Sequence, residues 1–586
     1  MRSKFFILCI LLAAGVSIIC CGDGSQPENK ADRETGTLSL KADWPAVHAL
    51  SSNSQMNAVL DCDAMNVDNI SAHVYSDTGT LLRKGGPWNC AAGSGTISKV
   101  PVGDNRLVRL YAFDPDGKEI YRGEVPGVSV QSQQTVQVDV LMDSVFSRDL
   151  SLVRDVYPGT GSSFPHRLVE FQGKLHFVAL DPNFGFELFN TDSAQVLKDI
   201  YPNGVLDRTG VMAPTDFVEL KGKLYFFAND GNRYLLWRTG GTAASTEPVA
   251  GSADYFNPTE LTALQDKLFF TADSVDAGRE LWVFEESTTQ IKLFDDIRTG
   301  QAGSNPQELT VVGDDLFFVA NNGSYGYEIW RTNAQEEQCS LETDIYYEGS
   351  SSAPRYLTHV NGALFFRATD GTQAASLKLY GNELWMIVND GDTYPASLVA
   401  DINDTSQSNG SSLVRNVTWV HDNTVAFSAY APDTGQELYL YDWQNDKAPR
   451  LYDLNPSEAS SFPGNFVYLN GTLFFTAYNS QDIEHLWAYP LDGSRPAQCL
   501  TSHMQHPAPR NLTVMNQTVY FTASHDTLGR RLWATDGTRA GLVVGPDGGD
   551  SPLSPANLFA ASSNDRLYYT AFDTDYGEEL FQLVDQ

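Results

Sequence analysis

Apolar positions along this chain fall into a unit that recurs. A short run ending in alanine, such as Leu473-Phe474-Phe475-Thr476-Ala477, is followed after a polar loop by an apolar pair ending in an aromatic, here Leu486-Trp487. Runs of this kind stand at 175–179, 224–228, 268–272, 316–320, 364–368, 425–429, 473–477, 519–523 and 567–571. Their aromatics are Phe189, Trp237, Trp282, Trp330, Trp385, Tyr439, Trp487, Trp533 and Phe581. From alanine to aromatic is ten residues in seven copies, nine in one and seventeen in the fifth; the runs are 44 to 49 residues apart, with one step of 61. Turn signals such as Val360-Asn361-Gly362 and Leu469-Asn470-Gly471 bound the runs, and no segment shows a 3.6-residue period, so strands are predicted.

Each copy divides into four strands. In the fifth these are 354–360 after a proline loop, 364–368, the segment around Glu383-Leu384-Trp385, and 398–402 ending in an acid. Four short antiparallel strands at a period near 48 residues predict a β-propeller blade. The ends predict closure of the ring. Leu150-Ser151-Leu152-Val153-Arg154-Asp155-Val156 has the fourth-strand pattern without its first three, while the last repeat stops just after its third strand. The N-terminal strand should complete the last blade and leave no free sheet edge. About nine blades are expected over 147–586; eight with a degenerate copy, or two smaller rings, are the alternatives.

Before the repeats, 36–146 shows short alternating strands, as in Ile70-Ser71-Ala72-His73-Val74 and Val136-Gln137-Val138-Asp139-Val140, with turns such as Asp114-Pro115-Asp116-Gly117. This predicts an antiparallel β-sandwich and makes the whole chain all-β. Residues 22–35 are polar, without periodicity, and read as a flexible tether. The first 21 residues have a basic start (Arg2, Lys4), an apolar run over 5–19 and Cys20-Cys21, the layout of a signal peptide. Ile18-Ile19-Cys20-Cys21 resembles a bacterial lipobox, which implies cleavage before Cys21 and its lipidation, palmitate included; an ordinary secretory cleavage site is the alternative. The implied location is extracytoplasmic, lipid-anchored to a bacterial envelope at the outer membrane or cell surface.

Composition narrows the function. A net charge of −34, from 73 acidic and 39 basic residues, would repel a nucleic-acid backbone. In an oxidising compartment Cys62 and Cys90 are a plausible disulfide pair, and Cys339 and Cys499 read as unpaired buried thiols. Asp61, Asp63, Asp68, Asp114 and Asp116 raise calcium, but turn duties account for them, so no cofactor is expected and any metal is left unknown.

Arg531-Leu532-Trp533-Ala534-Thr535-Asp536-Gly537-Thr538, followed by Ala540-Gly541-Leu542-Val543, resembles the ELWxxDGT repeat of hyalin-like bacterial surface lipoproteins. Glu280-Leu281-Trp282, Glu328-Ile329-Trp330 and Glu383-Leu384-Trp385 carry the first half of that motif. The resemblance covers about three quarters of the chain and implies a propeller-like, extracellular repeat domain without an assigned reaction. Val100-Pro101-Val102-Gly103 with 107–113 resembles immunoglobulin-like or prealbumin-like accessory domains.

No catalytic motif is present: neither G-x-S-x-G, H-E-x-x-H, a phosphate loop nor a dinucleotide fingerprint. Catalytic residues are therefore not named. Glu187, Glu280, Glu328, Glu383, Glu437 and Glu579 share one strand phase and are expected in blade-to-blade hydrogen bonds. Loops such as Asp276-Ala277-Gly278, Asp433-Thr434-Gly435 and Asp575-Tyr576-Gly577 read as tight turns. The recurrent aromatics are expected as packing between blades; Trp419, Trp443, Tyr325 and Tyr327 are the less regular, ligand-facing candidates, and the insertion at 369–381 is the specialised loop. The expected function is a non-enzymatic, monomeric surface lipoprotein whose propeller binds an extracellular protein or glycan. The alternative is a propeller glycoside hydrolase or lyase acting on extracellular polysaccharide.

Overall fold

A computed structural model describes residues 35–44, 62, 65–192, 196–201, 213–249, 255–346, 349–371, 380–389, 395–405, 408–456, 459–545 and 551–584. The signal segment with Cys21, nearly all of the tether, Asp61, Asp63 and most of the fifth-repeat insertion lie outside these residues. Among the described residues all regular structure is strand apart from two single 3-10 turns. The chain divides into two units, Met1–Asp149 with Arg539–Ser551, and Leu150–Thr538 with Pro552–Gln586.

In the first unit, one sheet orders Ser94–Pro101, Thr35–Asp43 and Thr135–Leu141, the last two in parallel. The other strands are Leu81–Asn89, Asn69–Tyr75, Gly103–Phe113, Glu119–Val130 and Asp143–Ser147. Alternation fixes their faces: in Thr35–Asp43 every second side chain is buried, including Leu38, Leu40 and Ala42. These join Ile70, Val108 and Val138 in one apolar core shared by both sheets. A disulfide links Cys62 and Cys90. Asp114 accepts the backbone N–H groups of Asp116 and Lys118 at 3.1 and 2.8 Å, a turn duty that uses the carboxylate locally.

The sequence pattern places 539–551 in the eighth repeat, but this segment groups with the first unit. Ala540–Val544 runs parallel to Asp143–Ser147, with Leu542 opposite Val145, and is buried throughout. Gly541 permits the approach, since a Cβ there would meet the Ser144 carbonyl oxygen at 2.7 Å.

Among the described residues the second unit is a β-propeller of nine blades. Their first strands are His166–Phe171, Thr215–Leu220, Phe256–Leu264, Gln307–Val312, Arg355–Val360, Arg415–His421, Gly464–Leu469, Arg510–Met515 and Leu553–Ala561. Each packs against the first strand of the next blade, and Leu553–Ala561 packs against His166–Phe171, so the nine form a closed circle around an axis. Blade 3 is typical, an antiparallel meander of Phe256–Leu264, Lys267–Ser274, Gly278–Glu285 and Gln290–Asp295. In blade 9 the outer position is taken by Asp149–Arg154 from the other end of the chain.

Both faces of a blade are covered by neighbours, which is why the second strands are continuously apolar. The recurrent aromatics lie in these layers. Trp282 packs with Tyr225 and Phe227 of blade 2, Trp330 with Phe269 of blade 3, and Phe189 with Tyr568 of blade 9.

The shared glutamates latch blade to blade. Glu280 accepts the backbone N–H groups of Arg298 and Ser304 at 3.1 and 2.7 Å and the Ser304 hydroxyl, all in the chain running into blade 4. Glu328 does the same for Ile345 and Ser352, Glu383 for Ile402 and Ser412, Glu437 for Leu454 and Ser461. Glu579 of blade 9 takes Val156, Tyr157 and Ser163 at the approach to blade 1. Burial pushes these five carboxyls up to about 7 against the pull of their hydrogen bonds, and Glu187 up to about 8.

Candidate functional site

The side chains singled out from the sequence separate into scaffold and surface. Seven of the nine recurrent aromatics have relative exposures of 5–7% or 0–1% in the interblade layers, as with Trp237 at 5% and Trp533 at 0%. Trp385 and Trp487 are partly buried in the same layers. Trp443 and Tyr327 also pack against interblade cores. Trp419 is exposed, and its indole N–H donates to the Asp422 carbonyl at 2.9 Å. Tyr325 is exposed in a hairpin. Cys339 and Cys499 carry free thiols and are partly buried rather than fully so; burial pushes Cys499 up to about 12.

A different set shares one position on the innermost strands. One position near the start of each first strand, two residues after its usual proline, has left-handed backbone in all nine blades: Arg167, Asp216, Glu260, Glu308, Tyr356, Asn416, Asn465, Asn511 and Asn557, with φ between 50° and 62°. Asparagine tolerates this conformation best among residues with a side chain, which accounts for blades 6 to 9. Glutamate has no such preference. Its presence in blades 3 and 4 therefore reflects something other than local backbone.

Part of that is structural. Asp216 accepts the Glu260 N–H at 3.1 Å, Glu260 the Leu309 N–H at 3.1 Å, and Glu308 the Leu357 N–H at 2.9 Å, so each acid ties its blade to the next. The same three carboxyls line an axial recess of about 380 Å³, together with Val218, Thr262 and Thr310. Burial raises the Asp216 and Glu260 carboxyls above their usual range, with Arg167 pulling Asp216 back. Arg355 stands 3.8 Å from Glu308.

The recess is thus acidic at blades 2 to 4, while blades 6 to 9 carry asparagine at the same position. Such a recess suits an organic cation, an amine or guanidinium, with apolar and threonine walls around it. Among the described residues no three His, Cys, Asp or Glu side chains stand close enough to share a metal ion. The apolar columns of the repeat carry no trace of these acids. The signal is there in Pro214-Thr215-Asp216, Pro258-Thr259-Glu260 and Pro306-Gln307-Glu308 against Pro463-Gly464-Asn465 and Pro509-Arg510-Asn511.

No protein-family model matches the chain, and no characterised protein sequence is similar to it. Solved structures with a similar fold are propellers of peptidases. One is the β-propeller domain of the trilobed protease of Pyrococcus furiosus, with TM-score 0.30 and 12% identity over 55% of this chain and 95% of that one. Another is a prolyl endopeptidase, with TM-score 0.35 and 10% identity over 61% of this chain and 54% of that one. A third is the acylaminoacyl peptidase of Pyrococcus horikoshii, with TM-score 0.30 and 12% identity over 62% of this chain and 57% of that one. The chain thus spans little more than half the length of the last two. At these identities the likeness shows the fold alone.

The expected binding of an extracellular protein or glycan, and the polysaccharide-enzyme alternative, find no counterpart among these structures. The similar propellers belong to peptidases, not to adhesion scaffolds or polysaccharide enzymes. The physical reason for the miss is that the repeat reports interblade packing, whereas a ligand meets the channel side chains, which the repeat leaves free to vary.

Proposed function

We propose that the propeller admits polypeptide at its axial channel and selects it for a peptide-processing system. The observation that carries this reading is the acid lining of the recess, Asp216, Glu260 and Glu308, at a position where blades 6 to 9 hold asparagine. Carboxyls partly withdrawn from water gain most from a partner that brings its own positive charge and hydrogen-bond donors, as a peptide amino terminus, lysine or arginine does. The threonine and aliphatic walls leave room for the rest of such a chain. The lipobox-like Ile18-Ile19-Cys20-Cys21 supports lipid attachment at Cys21, and the ELWxxDGT-like repeat supports a location at the bacterial surface.

The test is binding of short synthetic peptides to the full chain, read by fluorescence anisotropy, with fragment analysis to detect cleavage. Wild type should bind a lysine-containing hexapeptide, and the D216N/E260Q/E308Q variant should bind it at least about tenfold less tightly. Equal binding by the two proteins would remove the reading.

A further inference from the structure

Blade 5 departs from the repeat at two neighbouring positions. In every blade the residue before the left-handed position lies opposite the fourth residue of the second-strand run. That pair is Thr259 with Thr271 in blade 3, Gly464 with Thr476 in blade 7 and Ala556 with Thr570 in blade 9. In blade 5 it is Arg355 with Arg367, and no other blade sets two charged side chains against each other here. Like charges directly opposite in an antiparallel pair are destabilising. The left-handed position itself holds Tyr356, where a bulky side chain is unfavourable and blades 6 to 9 use asparagine. The two departures meet: the Arg367 guanidinium lies over the Tyr356 ring, 5.2 Å from its centre.

A third arginine joins them from the next blade. Phe365 packs in the layer between blades 5 and 6, and Arg367, two residues on, takes the same face of its strand. Arg415 begins the first strand of blade 6 and is exposed. Burial, and after it the charges of Arg355 and Arg415, hold the Arg367 guanidinium below its ordinary pKa, with Tyr356 and Glu308 pulling the other way. Comparable arginines of other blades are satisfied by the fold. Arg279 donates to the Asn257 carbonyl at 2.9 Å and the Thr271 hydroxyl at 2.6 Å, and Arg530 to the Ala508 carbonyl at 2.8 Å. In contrast, the Arg367 Nε is buried without a hydrogen-bond partner. Neither Arg367 nor Arg415 has a carboxylate within ion-pair distance among the described residues. Of the three, Arg355 alone is tied, to Gln307 at 2.6 Å and to Glu308 at 3.8 Å.

In a molecule of net charge −34 this group is a local exception. It suits one compact oxyanion, since guanidinium groups match a carboxylate fork and an extended polyanion would meet acid around them. Resting on the peptide-admitting reading, we infer that Arg355, Arg367 and Arg415 hold the terminal carboxylate of a short peptide whose amino group faces Asp216, Glu260 and Glu308. The two stations adjoin, because Arg355 reaches Glu308 on one side and pairs with Arg367 on the other. Leu357, two residues beyond Arg355, already lines the recess. The ligand class is therefore a short zwitterion; an internal stretch of a long chain offers no such carboxylate.

Isothermal titration calorimetry of the full chain tests this with lysyl-dialanine, the same peptide as its C-terminal amide, and inorganic phosphate. Wild type should bind the free peptide about tenfold more tightly than the amide. R367T installs the residue of blades 3, 7, 8 and 9; it should abolish that preference and keep or raise the melting temperature. R415A, at an exposed side chain, should reduce the preference at least about threefold. D216N/E260Q/E308Q should weaken both peptides and leave the preference in place. Equal binding of free peptide and amide by wild type overturns the inference and leaves the channel reading intact. Failure of the acid variant to weaken either peptide removes the channel reading, while a preference lost in R367T still supports the arginine site. A lower melting temperature in R367T with the preference unchanged gives Arg367 a structural role and overturns the inference. Phosphate that binds more tightly than the free peptide, and loses affinity in R367T, overturns it in favour of a phosphate site.

Discussion

The Ser163 hydroxyl and backbone N–H both donate to the carboxylate of Glu579, 416 residues away in sequence, and this pair joins the loop before blade 1 to the third strand of blade 9. The same chemistry joins blades that are neighbours in sequence at Ser352 and Glu328. Local geometry makes the two pairs alike, yet only one of them closes the ring. Ser163→Ala should cost about 1.5–3 kcal/mol, the range for a hydrogen bond to a charged group. S352A should cost a similar amount. The two should differ in kinetics, S163A accelerating unfolding more, because its seam is not backed by chain continuity. Urea unfolding with stopped-flow detection measures both; equal unfolding rates would count against a special role for the closing seam.

The latch glutamates make stability depend on pH. Their carboxyls titrate at about 7 in the folded protein, against about 4.3 in an unfolded chain. A pKa raised by folding means that the folded state holds the proton more tightly. The associated stabilisation is full below about pH 4 and is lost as pH rises through about 7. Thermal unfolding at pH 5 and pH 8 reads this. Glu328→Gln removes one titrating group, so its melting temperature should fall less steeply with pH than that of wild type. A slope equal to wild type would contradict the raised pKa.

Gly577 and Gly362 both have left-handed backbone, with φ of 74° and 88°, but in different surroundings. A Cβ on Gly577 would meet the Gly161 carbonyl oxygen at 2.2 Å, whereas one on Gly362 would meet nothing within 4 Å. Gly362→Ala should cost only the backbone term of about 1–2 kcal/mol. Gly577→Ala should cost more, because the clash is with backbone of the adjoining blade. Equal losses in denaturant unfolding would show that the seam accommodates the methyl group.

Trp282 and Trp419 test the division between scaffold and surface. Trp282 is 6% exposed between blades 2 and 3, and its truncation to alanine should cost about 3–5 kcal/mol. Trp419 is 55% exposed, and W419A should stay within about 0.5–1 kcal/mol of wild type. Chemical denaturation of the two variants side by side gives the comparison.

The fold was legible because its determinants are periodic. Interblade packing demands the same apolar column in every copy, so the 175–179 to 567–571 runs and the aromatics after them stand out without any partner being known. The leftover strand at Asp149–Arg154 was legible for the same reason, as a pattern without its companions. The channel acids were harder to see. Glu260 and Glu308 occupy a column where asparagine is the local backbone preference, and a departure from a weak preference at single positions is faint beside nine copies of a strong one. Their role emerges only when a closed circle brings positions 216, 260 and 308 to one side of an axis.

Closure of blade 9 by Asp149–Arg154 also bears on how the chain reaches its native state. The outermost strand of that sheet is made before the first blade and its neighbour, Gly577–Val584, only after the other eight. Until that neighbour emerges, the growing chain carries open strand edges, the kind of surface that pairs with other chains. Contacts of such long sequence separation also slow folding. Pairing of Gly577–Val584 with Asp149–Arg154 covers those edges in a single step.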